Sequence, residues 1–411
     1  MTFLTQHPGW FLVAFGLFAL AWAVAVTIHL AVYLRPVVHT RREARRQAQM
    51  QALGVPAQPL PHVSVIVYAH NQADALLRNV PALFEQDYPV FDVIVVDDNS
   101  RDETADVLTM MKQRYDHFHH IYIREGVRNI SRRKLAMMLG VKAAQGDVIL
   151  MTMAQCAPVS RRWIASVASS FTSGVDAVLA PVSYAQRTGL VSRFCAYDLF
   201  QRQQALFGLT MAVRPYAAWG ANMAFRRDAF FADGSRAFCK HLRLRPGADD
   251  LFVCEVAQGD NIAVACTSDA LVENQHTPIA EEWRQDRRVR AFTSLYYPRA
   301  PRLMRGLELA TRWLVVPLGL ALTAFGALCL ASAPSLDLIP ILWTLTGAAA
   351  GMLLLYWLCV VLCGVALSRM LGLRPFVWAP VLGGLIPPLV DLRYRLAALS
   401  HPKRFYVGYA S

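Results

Sequence analysis

The hydrophobic positions divide this chain into apolar ends and a middle in which short apolar runs alternate with polar segments. One apolar run covers residues 9–34, and two more cover residues 313–333 and 339–367. A helix needs about 20 apolar residues to cross the hydrocarbon core of a bilayer. The pattern therefore predicts transmembrane helices over 9–34, 313–333 and 339–367, with one domain over 60–300 between them.

Within the middle region, three continuous runs of β-branched and apolar residues cover 63–68, 92–96 and 147–151. Continuous rather than alternating hydrophobicity is typical of strands buried on both faces, as in parallel sheets. Helical stretches separate or flank these runs. Because strand and helix alternate, the pattern predicts a doubly wound α/β sheet, in which ligands bind at the carboxyl ends of the strands. The predicted helices cover residues 74–85, 102–114 and 132–144.

The segment 376–398 is apolar at first, but it is short and contains Pro380, Pro387 and Pro388. It leads into a cationic tail, and a spanning helix would carry those cations across the membrane. We therefore expect an interfacial or re-entrant segment here rather than a fourth span.

Charge supports this arrangement. The 411 residues carry a net charge of +12, yet only 17% are charged, against about 25% in a typical soluble domain. Five arginines and one glutamate lie between Arg35 and Arg46, directly after the first apolar run. Such a cluster is typical of a cytoplasmic flank that touches anionic lipid headgroups, and it argues against a nucleic-acid surface. Eight scattered cysteines show neither a disulfide framework nor a zinc spacing, which agrees with a cytosolic domain.

Polar residues follow the first two predicted strands. Asn71 comes after the first, and Asp97 and Asp98 come directly after the second. In this loop Ser100 or Asp102 could simply cap the next helix. Capping does not account for two adjacent carboxylates at a strand end, where they could accept hydrogen bonds from a base or a ribose.

Six ordered segments resemble the family 2 glycosyltransferases of the GT-A fold, and especially their membrane-anchored bacterial members. The motifs read VSVIVYAHNQ, VIVVDDNSRDET with KLAMMLGVKAAQGDVIL, WGANMAFRRDAF, ADDLFVCEVA and WRQDRRVRAFTSLYY. The resemblance implies a cytosolic GT-A domain, which is a Rossmann-like mixed sheet, combined with transmembrane helices in the bacterial inner (plasma) membrane. It implies a nucleotide-sugar donor, with a UDP-sugar as the first expectation, and a lipid-linked or glycan acceptor in polysaccharide biosynthesis.

The resemblance also assigns roles by position. Asp98, with Asp97 beside it, would bind the uracil or the ribose, and Lys134 would lie near the diphosphate or help to hold the site. Asp249 and Asp250 would be the candidates for the general base. The remaining implied contacts are Asn71 and Gln155 for the nucleotide-sugar, and Trp219, Asn222, Gln285, Arg287 and Arg288 for the acceptor or the diphosphate.

The chain departs from the family pattern where a metal would bind. Met153 and Gln155 occupy the places of two aspartates that hold Mg²⁺ or Mn²⁺ in relatives, and Ala248 replaces an acid. A thioether is a poor ligand for a hard cation, so we assign no metal ligand. Three interpretations stay open. The first is an active enzyme in which Lys134, Arg287 or Arg288 stabilises the diphosphate. The second is a pseudo-enzyme that binds nucleotide or acts as a scaffold in glycan assembly. The third is a processive synthase, for which three spans are few.

Overall fold

A computed structural model describes residues 8–53, 60–126, 130–185, 188–257, 260–331, 339–376, 386–400 and 406–407. Within these ranges ten strands form one seven-stranded and one three-stranded sheet. The strands are β1 Val63–Ala69, β2 Phe91–Asp97, β3 Phe118–Tyr122, β4 Val148–Met153, β5 Cys156–Pro158, β6 Ala177–Leu179, β7 Val182–Tyr184, β8 Met223–Arg226, β9 Ile262–Val264 and β10 Val272–Asn274.

The helices surround these sheets and extend beyond them at both ends of the chain. They are α1 Pro8–Ala52, α2 Ala73–Asn79, α3 Pro81–Phe84, α4 Thr104–Arg114, α5 Arg132–Ala143, α6 Trp163–Ala168, α7 Gly189–Thr210, α8 Arg227–Phe231, α9 Arg236–Cys239, α10 Asp250–Val256, α11 Ala280–Thr293, α12 Arg299–Ala331, α13 Ile339–Met370 and α14 Ile386–Ser400. Short 3₁₀ turns cover Ala232–Ser235 and Ser294–Tyr296.

The large sheet has the order β3-β2-β1-β4-β8-β6-β9 and is mixed. Strands β1 to β4 are parallel, as the continuous apolar runs predict, whereas β8 runs antiparallel to both β4 and β6. The register pairs Ala69 with Asp97 and Tyr68 with Met153. The carboxyl ends of β1, β2 and β4 therefore meet at one edge of the sheet, and the site lies at this edge.

Two local predictions need correction. The helix expected over 74–85 is broken into α2 and α3, because Pro81 lacks a backbone N–H to continue the first helix and instead begins the second. The edge strand β3 was missed, because its sequence FHHIY includes exposed His119 and His120 and lacks the apolar continuity of a central strand.

Three helices are long and apolar enough to cross a membrane, over Gly16–Arg46, Arg299–Leu328 and Trp343–Met370. They pack on one another around Trp22, whose indole N–H donates a 2.6 Å hydrogen bond to the carbonyl of Val315. The three predicted spans fall on α1, α12 and α13, although residues 332 and 333 and the link at 334–338 lie outside the described residues.

The segment predicted over 376–398 is described only at Phe376 and in α14, since 377–385 lie outside the described residues. In α14, Asp391 and Ala398 are buried against the domain. On the other face four leucines at helical spacing are exposed, namely Leu389, Leu392, Leu396 and Leu399. The helix thus presents an apolar stripe away from the domain.

Candidate active site

The loops after β1 and β2 form the part of the site that we call the nucleotide edge, defined by Asn71, Asp97 and Asp98. Asn71 adopts the left-handed region with φ of 51°, which asparagine tolerates better than most residues. Its side-chain oxygen accepts a 2.8 Å bond from the N–H of Arg101, and its own N–H donates to Ser100 Oγ at 2.8 Å. These bonds tie the two loops together.

The two adjacent carboxylates of the nucleotide edge are buried and have different partners. Asp97 Oδ1 accepts bonds from the N–H and the hydroxyl of Ser100, at 3.1 and 2.6 Å. Asp98 accepts a 2.7 Å bond from the Tyr68 hydroxyl and forms an ion pair with Arg132 Nε. Burial, together with the bond to Asp98, raises the pKa of Tyr68. Asp97 therefore shapes its own loop, while Asp98 connects β1 to the start of α5.

Helix capping falls to Asp102 and not to Ser100. Asp102 Oδ1 accepts from the N–H of Thr104 at 3.2 Å, and Oδ2 accepts from the N–H of Ala73 at 3.1 Å. One carboxylate thus serves the beginnings of both α2 and α4, which leaves Asp97 and Asp98 outside the capping role.

The end of β4 carries the two residues that replace the expected metal ligands. Gln155 Oε1 accepts a 3.1 Å bond from Gln72 Nε2, and Gln155 Nε2 lies 3.5 Å from Met153 Sδ. Magnesium and manganese need several hard oxygen ligands, which a thioether and a neutral, already bonded amide do not supply. Nor do the described residues include any group of three His, Cys, Asp or Glu side chains able to hold a metal. The donor set does not fit a divalent cation.

A cavity of about 910 Å³ opens beside the end of β4, and we call it the central cavity. It extends from Met153 to α11 and is lined by both acids and arginines. Its charged and aromatic lining includes Arg133, Arg245, Trp219, Asp249, Asp250, Gln285, Arg288 and Arg290. The nucleotide edge does not line this space, but Tyr68 and Met153 line a small adjoining cleft together with Arg133 and Asp249.

Asp249 faces the central cavity at the start of α10. Its Oδ2 accepts a 2.7 Å bond from the N–H of Gly220. A Cβ at Gly220 would lie 3.2 Å from that oxygen and 3.2 Å from Arg133 Nη2, so glycine allows both groups to approach the turn. Burial raises the pKa of Asp249, but the charges of Arg133 and Arg290 outweigh burial and hold the pKa below its usual range. Asp249 is therefore an ionised carboxylate at neutral pH.

Asp250 is the more deeply held of the two acids. Its Oδ1 accepts from the N–H of Ala218 at 3.0 Å and from Arg290 Nη1 at 3.1 Å, and its Oδ2 accepts from the Tyr297 hydroxyl at 3.0 Å. Burial and the charge of Asp249 raise its pKa, although Arg290 opposes them. This network ties α10 to α11 and occupies both oxygens.

Arg290 is a site residue that the motif comparison missed. Its guanidinium lies 4.5 Å from the ring of Trp219 and pairs with Asp286 Oδ1 at 3.0 Å as well as with Asp250. The available signal was the i,i+4 spacing from Asp286, which places the two residues on one face of a helix. Arg290 thus lies against the ring of Trp219, which lines the central cavity.

The predicted contact residues of helix α11 lie on two of its faces. Gln285 and Arg288 line the central cavity. Arg287 points the other way, where it is 2% exposed, pairs with Asp198 and donates bonds of 2.6 and 2.7 Å to Asp391 of α14. The prediction that Arg287 stabilises the diphosphate is therefore corrected. Adjacent residues of a helix point about 100° apart, so Arg287 and Arg288 lie on different faces. The guanidinium of Arg287 is taken up by two buried carboxylates.

Two further predicted contacts are corrected in the same way. Lys134 donates three hydrogen bonds to the carbonyls of His241, Leu244 and Pro246, at 2.8, 2.9 and 2.9 Å, so its ammonium holds the loop before Asp249 and does not face a ligand. This agrees with the alternative that Lys134 helps to hold the site. Asn222 is 1% exposed. Its side-chain N–H groups donate to the carbonyls of Pro181 and Ala270, and its side-chain oxygen accepts a hydrogen bond from the indole N–H of Trp163. It supports the turn from behind.

Comparison with protein families shows which family part of this chain resembles. The profile of glycosyl transferase family 2 matches residues 64–230, from β1 through β8. This match over 167 of the 411 residues makes the chain similar to the family 2 glycosyltransferases. Its mixed α/β sheet with added apolar helices is the GT-A arrangement expected from the motifs.

Curated relatives match shorter stretches of this chain. It is 26% identical over 148 residues to the glycosyltransferase AglE of Haloferax volcanii, covering 35% of this chain and 47% of that protein. It is 32% identical over 101 residues to the probable glycosyltransferase YdaM of Bacillus subtilis, covering 24% of each. It is 33% identical over 95 residues to the undecaprenyl-phosphate 4-deoxy-4-formamido-L-arabinose transferase of Pseudomonas syringae, covering 22% of this chain and 27% of that one. The chain thus spans less than half the length of each of these relatives.

Solved structures resemble this chain over more of its length. The mannosyltransferase PcManGT of Pyrobaculum calidifontis, solved with GDP-Man and Mn²⁺, is 21% identical with a TM-score of 0.45, covering 85% of this chain and 98% of that one. TarS of S. aureus, residues 1–349, is 15% identical with a TM-score of 0.40, covering 82% and 92%.

Proposed function

We propose that this protein transfers a sugar from a nucleotide-sugar donor, with a UDP-sugar as the first candidate, to a lipid-linked or glycan acceptor. The observation that carries the proposal is the position of the Asp249 carboxylate, which lines a large cavity beside the end of β4 and accepts a hydrogen bond from the N–H of Gly220. The nucleotide edge lies at the same end of the sheet, since β1 pairs with both β2 and β4. A donor with its nucleoside at Asp98 would therefore extend its sugar toward Asp249.

In the proposed reaction the acceptor hydroxyl attacks the anomeric carbon of the donor sugar. The new bond joins the acceptor oxygen to that carbon while the bond from the carbon to the diphosphate oxygen breaks. The hydroxyl proton passes to Asp249, and the nucleoside diphosphate leaves with the electron pair of the broken bond. We favour Asp249 over Asp250 as the base because Arg290, Tyr297 and the N–H of Ala218 already occupy the oxygens of Asp250.

The cavity suits an acceptor held by polar and aromatic contacts. Trp219 offers a ring face of the kind that packs on a sugar, while Gln285 and Arg288 line the same cavity from α11. Arginine suits phosphate because its fork donates two parallel hydrogen bonds. We propose that Arg288 contacts the diphosphate or a phosphate of the acceptor.

The membrane arrangement belongs to the same proposal. We place α1, α12 and α13 across a bacterial inner membrane, with the arginines at 35–46 and the glycosyltransferase domain on the cytosolic side. The exposed leucine stripe of α14 would lie at the lipid surface, as its spacing favours. A membrane-proximal acceptor fits this placement, and one relative is named for transfer involving undecaprenyl phosphate.

The test is release of nucleoside diphosphate by the purified full chain, supplied with a panel of UDP- and GDP-sugars and with polyprenyl phosphate or glycan acceptors. We expect release with one donor, and only when an acceptor is present. The matched variant Asp249→Asn should bind the same donor without turning it over.

A nucleotide-binding scaffold is the second candidate, and Met153, Gln155 and Ala248 favour it because they replace acids that the chemistry normally uses. Donor binding without turnover on any acceptor would support the scaffold. Absence of any nucleotide binding would exclude both candidates.

A further inference from the structure

The departing nucleoside diphosphate of the proposed function needs compensating positive charge, and the residues at the end of β4 do not fit a divalent cation. We propose that Arg133 supplies that charge and so takes the place of the metal in this site. The inference rests on the proposed function, and it concerns a residue to which neither the motifs nor the comparisons assign a role.

Arg133 is the middle member of three consecutive cations at the start of α5, and each of the three points to a different place. Arg132 pairs with Asp98 of the nucleotide edge. The ammonium group of Lys134 donates hydrogen bonds to three loop carbonyls. Arg133 lines both the central cavity and the adjoining cleft that contains Tyr68 and Met153. It is therefore the cation of this group that faces the space between the nucleotide edge and the base.

The immediate neighbours of Arg133 match the position of the lost metal ligands. Met153 and Asp249 line the same small cleft, and the guanidinium approaches Gly220 from the side next to Asp249. In the described part of the chain no carbonyl or side chain accepts a hydrogen bond from Arg133, and no ion pair includes it. A half-buried guanidinium with its donors available to a ligand is suited to phosphate oxygens.

Other cations of the site are bonded to carboxylates or do not line the cleft beside Met153. Arg287 is paired with Asp198 and Asp391, and Arg290 is paired with Asp250 and Asp286. Arg288 lines the central cavity from α11, but it is not among the residues that line the cleft beside Met153. Arg133 is thus the residue whose position matches the end of β4.

The experiment is calorimetric titration of the full chain in detergent with UDP and with UMP, each in EDTA and in Mn²⁺, and with GDP and GMP as the alternative pair. For the wild type we expect diphosphate affinity to change by less than about 3-fold between EDTA and Mn²⁺. Arg133→Gln should weaken diphosphate binding by roughly 10- to 100-fold, the range for hydrogen bonds to charged groups. It should weaken monophosphate binding far less. Arg133→Lys should fall between, since it keeps the charge and loses the fork.

The matched control is Arg161→Gln, an exposed arginine paired with Glu85, which should leave both affinities unchanged. Thermal unfolding of each variant close to that of the wild type shows that folding is intact. Equal loss of diphosphate and monophosphate affinity in Arg133→Gln would overturn the inference, as would a tenfold gain of wild-type diphosphate affinity on adding Mn²⁺. In both cases the proposed function would stand, whereas a wild type that binds no nucleotide would refute that function itself.

Discussion

The nucleotide edge and the central cavity differ in how far their side chains are used by the protein itself. At the nucleotide edge, Asp97 and Asp98 are bonded to Ser100, Tyr68 and Arg132, all close to the ends of β1 and β2 or the start of α5. In the central cavity, Asp249 is held by one backbone N–H, and Arg133 has its donors available. The carboxylates of the nucleotide edge are thus fixed by bonds within the protein, whereas the charged groups of the central cavity have few such bonds and could contact a ligand.

A second contrast lies within α11. Its cavity face carries Gln285 and Arg288, and its buried face carries Arg287. Neighbouring arginines of one motif thus point in different directions, Arg288 toward the cavity and Arg287 toward the interior. Removing each should damage a different property of the protein.

The largest effect that would sharpen the comparison is expected for Asp249→Asn. Loss of a general base typically costs about 10²- to 10⁴-fold in rate, while asparagine keeps an oxygen for the N–H of Gly220. Turnover should fall by that factor and nucleotide affinity should hardly change, as measured by diphosphate release and by titration. Glu255→Gln on the same helix, paired with Lys240 on the surface, is the control. Unchanged turnover in Asp249→Asn would show that the base lies elsewhere.

The next effect concerns the buried face of α11. Arg287→Ala would leave Asp198 and Asp391 without their shared cation, and breaking a buried pair in this way costs about 3–5 kcal/mol. We expect a large drop in the thermal unfolding temperature, with α14 released from α11. Arg284→Ala, an exposed arginine paired with Glu281, should alter stability by less than about 0.5 kcal/mol. A stable Arg287→Ala variant that fails to bind nucleotide would instead place Arg287 in the site.

At the nucleotide edge we expect a smaller effect, on nucleotide binding and not on turnover, although Asp98→Asn also removes the ion pair with Arg132. Asp98→Asn removes a charged acceptor, so nucleotide affinity should fall by roughly 10- to 100-fold. Turnover at saturating donor should be close to that of the wild type, because the lost contact is uniform in ground and transition states. The split between KM and kcat measures this, and Asp106→Asn on the exposed side of α4 is the control. A fall in kcat with unchanged KM would contradict the assignment.

The smallest effect is the pH profile of turnover. The neighbouring arginines hold the pKa of Asp249 below the usual aspartate value of about 4. Asp249 therefore stays ionised between pH 5 and 8, and its protonation should not reduce kcat in that range. Burial raises the pKa of Asp250, so its protonation would reduce the rate at a higher pH. An acid limb well above pH 5 would therefore favour Asp250 as the base.

Much of the fold follows from local sequence pattern. The strands β1, β2 and β4 and the helices α4 and α5 lie within a few residues of their predicted bounds, because a buried parallel strand needs continuous apolar residues and a helix has its own period. The short strands β6, β7, β9 and β10 have three residues each, too few for a period to appear.

For the site, the sequence alone indicated the resemblance to the family, the candidate residues Asp97, Asp98, Asp249 and Asp250, and the replacement of the expected metal-binding acids by Met153 and Gln155. Only the tertiary structure decided which cations face the cavity, because Lys134 and Arg287 are bonded to the carbonyls of a distant loop and to the carboxylates of two other helices. Residue identity and spacing report what a side chain can do. Which partner takes up its hydrogen bonds depends on segments far away in sequence.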